Sequence, residues 1–368
     1  MKLTIKQTSL QKVLRVVQKS VSTKPQLPIL SCILLKATKD SLFLYSTDLY
    51  TGVMVEIDAT IKEEGSFAVP GKYFTQVINS ISSPTIDMEV KDNSLLIHSK
   101  ESETKLVGLN PEDFPSFPEI SSKNKLIPVK DFQEALASVA FSSSTDQTRP
   151  TLTGILLSFE SEKTQLIATD GFRLSIRSID VEIEKEGTIL IPSRPLVDIF
   201  KTAEEEKVSS ISLSISEELK QAKFEVGSFS FYIRLLDGEY PPYKKIIPTQ
   251  IKTFVSCNKN DLEEKLHQAL IFNQDNSFIT QFKISLTGVT LFSSSPSAGE
   301  NTSELSGATI KGEEVTIAFN TRYLLDFIKV ISDEWVEIEI VESLRPARLK
   351  VASLPDYQYV VMPFRVTS

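Results

Sequence analysis

Two aspartates occupy matching places in two copies of one pattern, and they are the first candidates for chemistry. Asp48 ends the run ILLKATKDSLFLYSTD at residues 33–48, and Asp170 ends ILLSFESEKTQLIATD at 155–170. Arg173 stands three residues beyond the second. Carboxylates with an arginine are the least that acid–base hydrolysis needs, so a metal-free hydrolase built from β-rich domains is the enzymatic alternative. The plainer use is a strand-end turn, in which Asp accepts the N–H groups of its own backbone. We favour the turn.

The remaining inventory speaks against catalysis. His98 and His267 are the only histidines, too few for a zinc centre or a Ser-His-Asp triad. Cys32 and Cys257 stand alone in apolar, strand-like contexts and read as buried free thiols. Neither GxGxxG nor GxxxxGK[ST] occurs, and 13 glycines in 368 residues leave little for phosphate-cradling loops. No metal and no cofactor is expected. No window approaches the ~18 apolar residues of a membrane span, and the N-terminus lacks an apolar signal core, so a cytoplasmic protein is expected.

The positive signal is spread out. Leu10, Val13, Leu14 and Val17 form an apolar helical stripe, and Lys12, Arg15 and Lys19 fall on the opposite side. Basic residues recur on later helices, as Lys72, Arg194 and Lys201, Lys265, and Arg322 and Lys329; the helix at 130–142 departs with only Lys130. One such helix is a solvated face. A repeated basic bias in a chain of net charge −8 points to one shared surface that meets phosphates without reading bases.

The elements that must position these residues come in thirds. The two runs above match without a gap at a constant offset of 122, from Ile33 to Ile155 and from Asp48 to Asp170. The same offset carries Glu64-Gly65-Ser66 onto Glu186-Gly187-Thr188, and Val69-Pro70 onto Ile191-Pro192. A fainter copy, EVTIAFNTRYL from Glu314, lies 128 beyond Glu186. A period this long is a small domain rather than a solenoid unit. The expected domains are 1–122, 123–249 and 250–368, joined through the Pro-rich stretches DFPSFP at 113–118 and DGEYPPY at 237–243. Each is expected to be α+β, antiparallel sheets with two helices on one face. A helix is expected to begin after the short strand Thr4–Ile5 and to carry the stripe from Leu10 to Val17, and others are expected near 71–81 (with Tyr73, Phe74, Val77, Ile78 and Ile81 buried), 130–142, 193–202, 260–273 and 321–331. Thr8/Gln11 and Asn260/Glu263 have capping-box spacing. Ser293–Ser297 reads as a polar loop, and the tail VVMPFRV as an edge strand.

Together these features resemble the bacterial sliding clamp, the β subunit of DNA polymerase III, over the whole chain. The resemblance is carried by Lys24-Pro25, Leu27-Pro28-Ile29-Leu30, Thr47-Asp48-Leu49, ATDGFRL at 168–174, DGEYP at 237–241 and VVMPFR at 360–365. It implies a head-to-tail homodimer, a ring of six domains whose helices line a hole for duplex DNA. Lys24 joins the helix cations there as a DNA-facing residue. It also implies a groove for partner peptides, from the polymerase α subunit, the clamp-loader δ subunit, other polymerases and repair proteins. The matching positions are Arg149, Leu152, Thr169, Gly171, Phe172, Arg173, Leu174, Pro241, Lys245, Ile246, Asn320, Tyr323, Ser343, Val360, Met362, Pro363, Phe364 and Arg365. Phe172, Lys245 and Phe364 depart from the family's usual His, Arg and Met, Pro346 stands where Ser is found, and Thr367-Ser368 lengthens the tail. Ring closure is expected through Leu106 on strand 103–109 and through Ile271 and Phe272.

Overall fold

The computed structural model describes residues 1–100, 102–120, 125–160, 163–181, 187–274 and 278–365. Glu186, the end expected for the strand at 173–183, and the tail extension Thr367-Ser368 lie outside these. The first third runs β1 (Lys2–Lys6), α1 (Gln7–Val17), β2 (Cys32–Thr38), β3 (Ser41–Thr47), β4 (Thr51–Asp58), β5 (Thr60–Glu63), β6 (Gly65–Pro70), α2 (Gly71–Ser80), β7 (Thr85–Lys91), β8 (Ser94–His98) and β9 (Glu103–Val107). The second runs β10 (Lys125–Pro128), α3 (Val129–Ala140), β11 (Gly154–Phe159), β12 (Thr164–Thr169), β13 (Arg173–Ile179), β14 (Gly187–Pro192), α4 (Ser193–Glu205), β15 (Ser210–Ser216), β16 (Gln221–Val226) and β17 (Phe229–Arg234). The third runs β18 (Thr253–Asn258), α5 (Lys259–Ile271), β19 (Ile279–Ser285), β20 (Gly288–Ser295), β21 (Gly299–Glu304), β22 (Thr309–Gly312), β23 (Val315–Asn320), α6 (Thr321–Val330), β24 (Trp335–Ile340), β25 (Ala347–Lys350) and β26 (Tyr357–Val361). Every third therefore repeats strand, helix, strands, helix and three strands.

Packing groups these elements into two compact units, Met1–Val129 with Arg194–Leu235, and Lys130–Ser193 with Leu236–Ser368. The first holds a five-stranded sheet, β5-β1-β7-β8-β9, and an eight-stranded one, β10-β15-β16-β17-β4-β3-β2-β6. The second holds a nine-stranded sheet, β14-β11-β12-β13-β26-β25-β24-β18-β22, and a four-stranded one, β21-β20-β19-β23. The named pairs are antiparallel. The β4–β17 and β13–β26 ladders each join strands from successive thirds.

Alternation builds the sheets and a 3.6-residue stripe builds the helices. Leu10, Val13, Leu14 and Val17 are buried as their spacing requires, and α1 packs on α2. Leu262, Leu266 and Ala269 do the same for α5, which packs on α6. In the second unit these helices close over a core that includes Phe282, Phe319, Phe327, Tyr357 and Tyr359.

Several local expectations need correction. The N-cap of α1 is Lys6, without a side-chain cap, because β1 runs straight into the helix and places Thr8 inside it. The N-cap of α5 is Asn258, not Asn260; its Oδ1 accepts from the Asn260 and Asp261 amides at 2.9 and 3.2 Å. Tyr73 is 60% exposed, because Phe74 and Ile78 already fill the inner face of α2. The strand expected at 289–295 is β20, so of the stretch 293–297 read as a polar loop Ser293–Ser295 end that strand and the turn begins at Pro296. The tail strand β26 is central, paired with β13 on one side and β25 on the other.

Candidate functional site

Asp48 and Asp170 prove to be turn braces. Asp48 Oδ1 accepts from the amides of Tyr50 and Thr51 at 2.9 and 2.7 Å, and Asp170 Oδ1 from those of Phe172 and Arg173 at 2.9 and 3.0 Å. His98 and His267 sit half-exposed to exposed beside Glu103 and Glu263. Both cysteines are free and buried, and burial, with Asp261 nearby, pushes the Cys257 thiol up to about 12. Among the described residues no cluster of three metal-ligating side chains occurs.

In the second unit the candidate groove residues gather around the β12–β13 turn and the end of β26. The Thr169 hydroxyl donates to the Arg173 carbonyl at 2.6 Å and accepts from the Gly171 amide at 3.1 Å. Gly171 is required: its φ is +93°, and a Cβ there would stand 3.4 Å from Arg149 Nη1. Phe172 is turned outward, 46% exposed, and its carbonyl accepts from the Met362 amide at 2.8 Å. The β13–β26 register sets Leu174 opposite Val360, both buried. Ile246 packs against that pair with Tyr240 and Tyr243. After β26 the chain stays extended, and the Phe364 amide donates to Ala318 at 2.8 Å. Met362, Pro363 and Phe364 are half-buried and Arg365 is exposed. The result is a buried apolar cluster bordered by half-buried Met362, Pro363 and Phe364 and one exposed aromatic side chain, Phe172.

Arg173 is the next residue in the chain. Its Nε bonds Asp170 Oδ2 at 3.0 Å, one terminal nitrogen Asp326 Oδ2 at 2.6 Å, and the other the Phe141 carbonyl at 2.7 Å. The guanidinium lies 4.5 Å from the Tyr323 ring centroid and 5.3 Å from that of Phe141. Burial opposes its charge, but Tyr359, Asp326 and Asp170 outweigh it and hold its pKa above the ordinary value. Arg149 marks the rim, half-exposed and bonded to Asp146 Oδ2 at 3.1 Å. Leu152 is buried in the turn after it. Asn320 caps α6 by accepting from the Arg322 amide at 2.9 Å. Pro241 is half-buried, while Lys245 and Ser343 are exposed in turns. Sequence reasoning missed Tyr240, Tyr243, Phe141, Asp326 and Tyr359. Only the aromatic pair around the second Pro-rich stretch left a local signal.

The proposed DNA-facing cations divide into two sets. Lys12 pairs with Glu206, just past the end of α4, at 2.7 Å, and Lys19 with Asp198 on α4 at 2.5 Å. Lys265 lies by Glu264 and Asp261, and Lys329 by Asp326. Arg322 stacks on Phe278, 3.3 Å from its centroid. Arg15, Lys24, Lys72, Arg194 and Lys201 are exposed and carry no ion pair among the described residues.

The candidate closure residues sit at edges. Half-buried Leu106 lies on β9, the edge of the five-stranded sheet, beside exposed Lys105 and Val107. Ile271 is 62% exposed where α5 ends, and Phe272 is its C-cap. A further edge strand, β21, shows exposed Glu300 and Glu304; the strand expected at 303–309 overlaps only its end.

Comparison with known proteins agrees along the whole chain. Family models match residues 1–118 as "DNA polymerase III beta subunit, N-terminal domain", 126–242 as its central domain and 244–365 as its C-terminal domain. A beta sliding clamp of Staphylococcus epidermidis is 27% identical over 94% of each chain. The DNA polymerase III beta chain of Streptococcus pneumoniae superposes with a TM-score of 0.94 at 26% identity, covering 99% of this chain and 100% of that one. The beta subunit from Pseudomonas aeruginosa gives 0.93 at 26%, with the same coverage.

Proposed function

Because the chain belongs to the family of the DNA polymerase III beta subunit, the bacterial sliding clamps, we propose that the groove and basic faces described above are its working surfaces. The chain is a processivity factor for DNA replication and not an enzyme. It encircles duplex DNA as a ring-shaped homodimer and tethers the polymerase. The observation that carries this is the run of three clamp domains, in order, from residue 1 to residue 365.

On this reading Arg15, Lys24, Lys72, Arg194 and Lys201 face the phosphates, and the paired lysines contribute weakly. Retention is topological, so contacts stay water-mediated and transient. The ring closes by pairing β9 of one protomer with β21 of its partner; Lys105 against Glu300 and Glu304, with Leu106 and Ile271, supports that choice. Peptides of the polymerase α subunit, the loader δ subunit, other polymerases and repair proteins take the groove beside Phe172, with Leu174, Val360 and Met362 as floor. The domains run 1–122, 123–249 and 250–368, and the protein works in the cytoplasm on the nucleoid.

Two measurements test this. Solution mass should be twice the 41.1 kDa chain mass. Protein loaded on nicked circular DNA should stay bound, and leave when the circle is linearised; equal retention on both forms would show adhesion instead.

A further inference from the structure

The first unit contains a cavity of about 370 Å³ that the repeat explains. Its wall residues are the first-copy counterparts of the Arg173 cluster. The 122-residue offset takes Asp48 to Asp170, Thr51 to Arg173 and Lys19 to Phe141; the 128-residue offset takes Pro195 to Tyr323 and Asp198 to Asp326. The strands agree: Phe231 faces Val53 across β4–β17 as Tyr359 faces Ser175 across β13–β26. In the second unit a guanidinium between two aromatic rings fills this place. In the first, threonine and proline stand where the arginine and tyrosine stood, and the space is left open.

The hole keeps its polar frame. Asp198, whose counterpart Asp326 binds Arg173, binds Lys19 instead at 2.5 Å. Asp48 holds the amides of its turn. Arg194 is the only charged lining residue left without a partner. The floor is apolar and buried, made by Val16, Val53, Ile199, Phe231 and Ile233. The volume lies within the range of ligand sites, roughly 300–1,000 Å³.

We propose that this cavity is a second docking site, which takes a partner-protein segment pairing a large apolar side chain with an acidic one. The apolar side chain fills the space that arginine and tyrosine fill in the other copy, and the carboxylate meets Arg194. The site shares no residue with the groove beside Phe172, so it stands or falls apart from that assignment; with the proposed DNA-facing set it shares Lys19 and Arg194, and duplex-DNA binding of the Arg194 variant reads that role separately.

The test uses the full-length protein and a fluorescein-labelled peptide, Gly-Phe-Glu-Gly with blocked ends, followed by anisotropy. Wild type binds it. Arg194→Gln, or Gln for Glu in the peptide, each weakens binding about tenfold, and the two together cost no more than either alone. Thr51→Arg, which refills the cavity as the second copy does, abolishes binding, while Phe172→Ala leaves it unchanged. Circular dichroism and solution mass confirm that the variants are folded. The proposal is overturned if wild type fails to bind at millimolar peptide. It is overturned equally if Thr51→Arg has no effect, if Phe172→Ala removes binding, or if Arg194→Gln weakens only duplex DNA.

Discussion

Replacing Arg173 by methionine should cost the second unit about 3 kcal/mol. The side chain is 10% exposed, and its partners Asp170 and Asp326 are 14% and 32% exposed. Removing one member of a buried ion pair typically costs about 3–5 kcal/mol, because the other charge stays buried and alone. Methionine keeps the packing of the stem, and Asp326 retains Lys329 at 3.8 Å, so the lower end applies. Trp335, the only tryptophan, lies on β24 of the same unit, so its fluorescence follows the unfolding that matters. With a urea m-value of about 3 kcal/mol/M, the midpoint should fall by about 1 M. Adding Asp326→Asn should recover at least about 1 kcal/mol by neutralising the stranded carboxylate. Polymerase-peptide affinity should fall as well, since Phe172 is the next residue, and Arg173→Lys should restore only part of it because lysine lacks the planar fork. A midpoint shift below about 0.3 M with no recovery from Asp326→Asn would refute the view that this arginine braces the groove.

Removal of residues 362–368 should abolish polymerase-peptide binding and leave the dimer mass unchanged, because β26 ends at Val361. Cutting from Val360 should unfold the unit, since Val360 and Val361 are buried in the central sheet; native mass and urea titration separate the two outcomes. Asp198→Asn with Glu206→Gln should free Lys19 and Lys12, raise DNA affinity and steepen its log–log salt slope by about two. Stability should fall above pH 9.0: the buried Cys257 thiol, held near 12 in the fold, ionises at its ordinary 9.0 once unfolded. Its contribution is complete below pH 9.0, is lost as pH rises toward 12, and is down by about 1.4 kcal/mol at pH 10. Cys257→Ala should flatten that part of the urea-midpoint profile.

What the sequence revealed and what it hid have physical reasons. The 122-residue repeat was visible because a strand–turn–strand unit needs the same apolar alternation and the same Asp wherever it recurs. The α1 stripe and the buried cysteines were likewise local. The Arg173–Asp326 pair spans 153 residues, and the Lys19–Asp198 pair 179. Helical spacing reports which face is polar, never which acid waits on another helix, so Lys12 and Lys19 looked free. The ladders β4–β17 and β13–β26 were hidden for the same reason: pairing between thirds depends on surfaces that no single third encodes. Caps failed by register, since the capping-box spacing at Thr8 and Asn260 lies two residues past the actual N-caps, Lys6 and Asn258.

The paired lysines bear on how a clamp moves. Each phosphate neutralised by a free cation adds about 0.9 to the salt slope and deepens the well the ring must leave to advance. A ring that held DNA through every basic residue on its helices would be tight and slow. In this chain Lys12, Lys19, Lys265 and Lys329 lie within ion-pair distance of their own carboxylates, and Arg322 is stacked on an aromatic ring. On the proposed DNA-facing assignment, a neighbouring Asp or Glu would act there as a built-in substitute for phosphate, so a passing phosphate would exchange one partner for another with little net gain. A closed ion pair has little net charge at long range, so on the proposed DNA-facing assignment both the field that steers the duplex and the short-range grip rest on the exposed cations Arg15, Lys24, Lys72, Arg194 and Lys201. The double variant that frees Lys12 and Lys19 is therefore expected to diffuse more slowly along DNA than wild type, measured by single-molecule tracking at low salt, and to regain the wild-type rate as salt screens the added contacts.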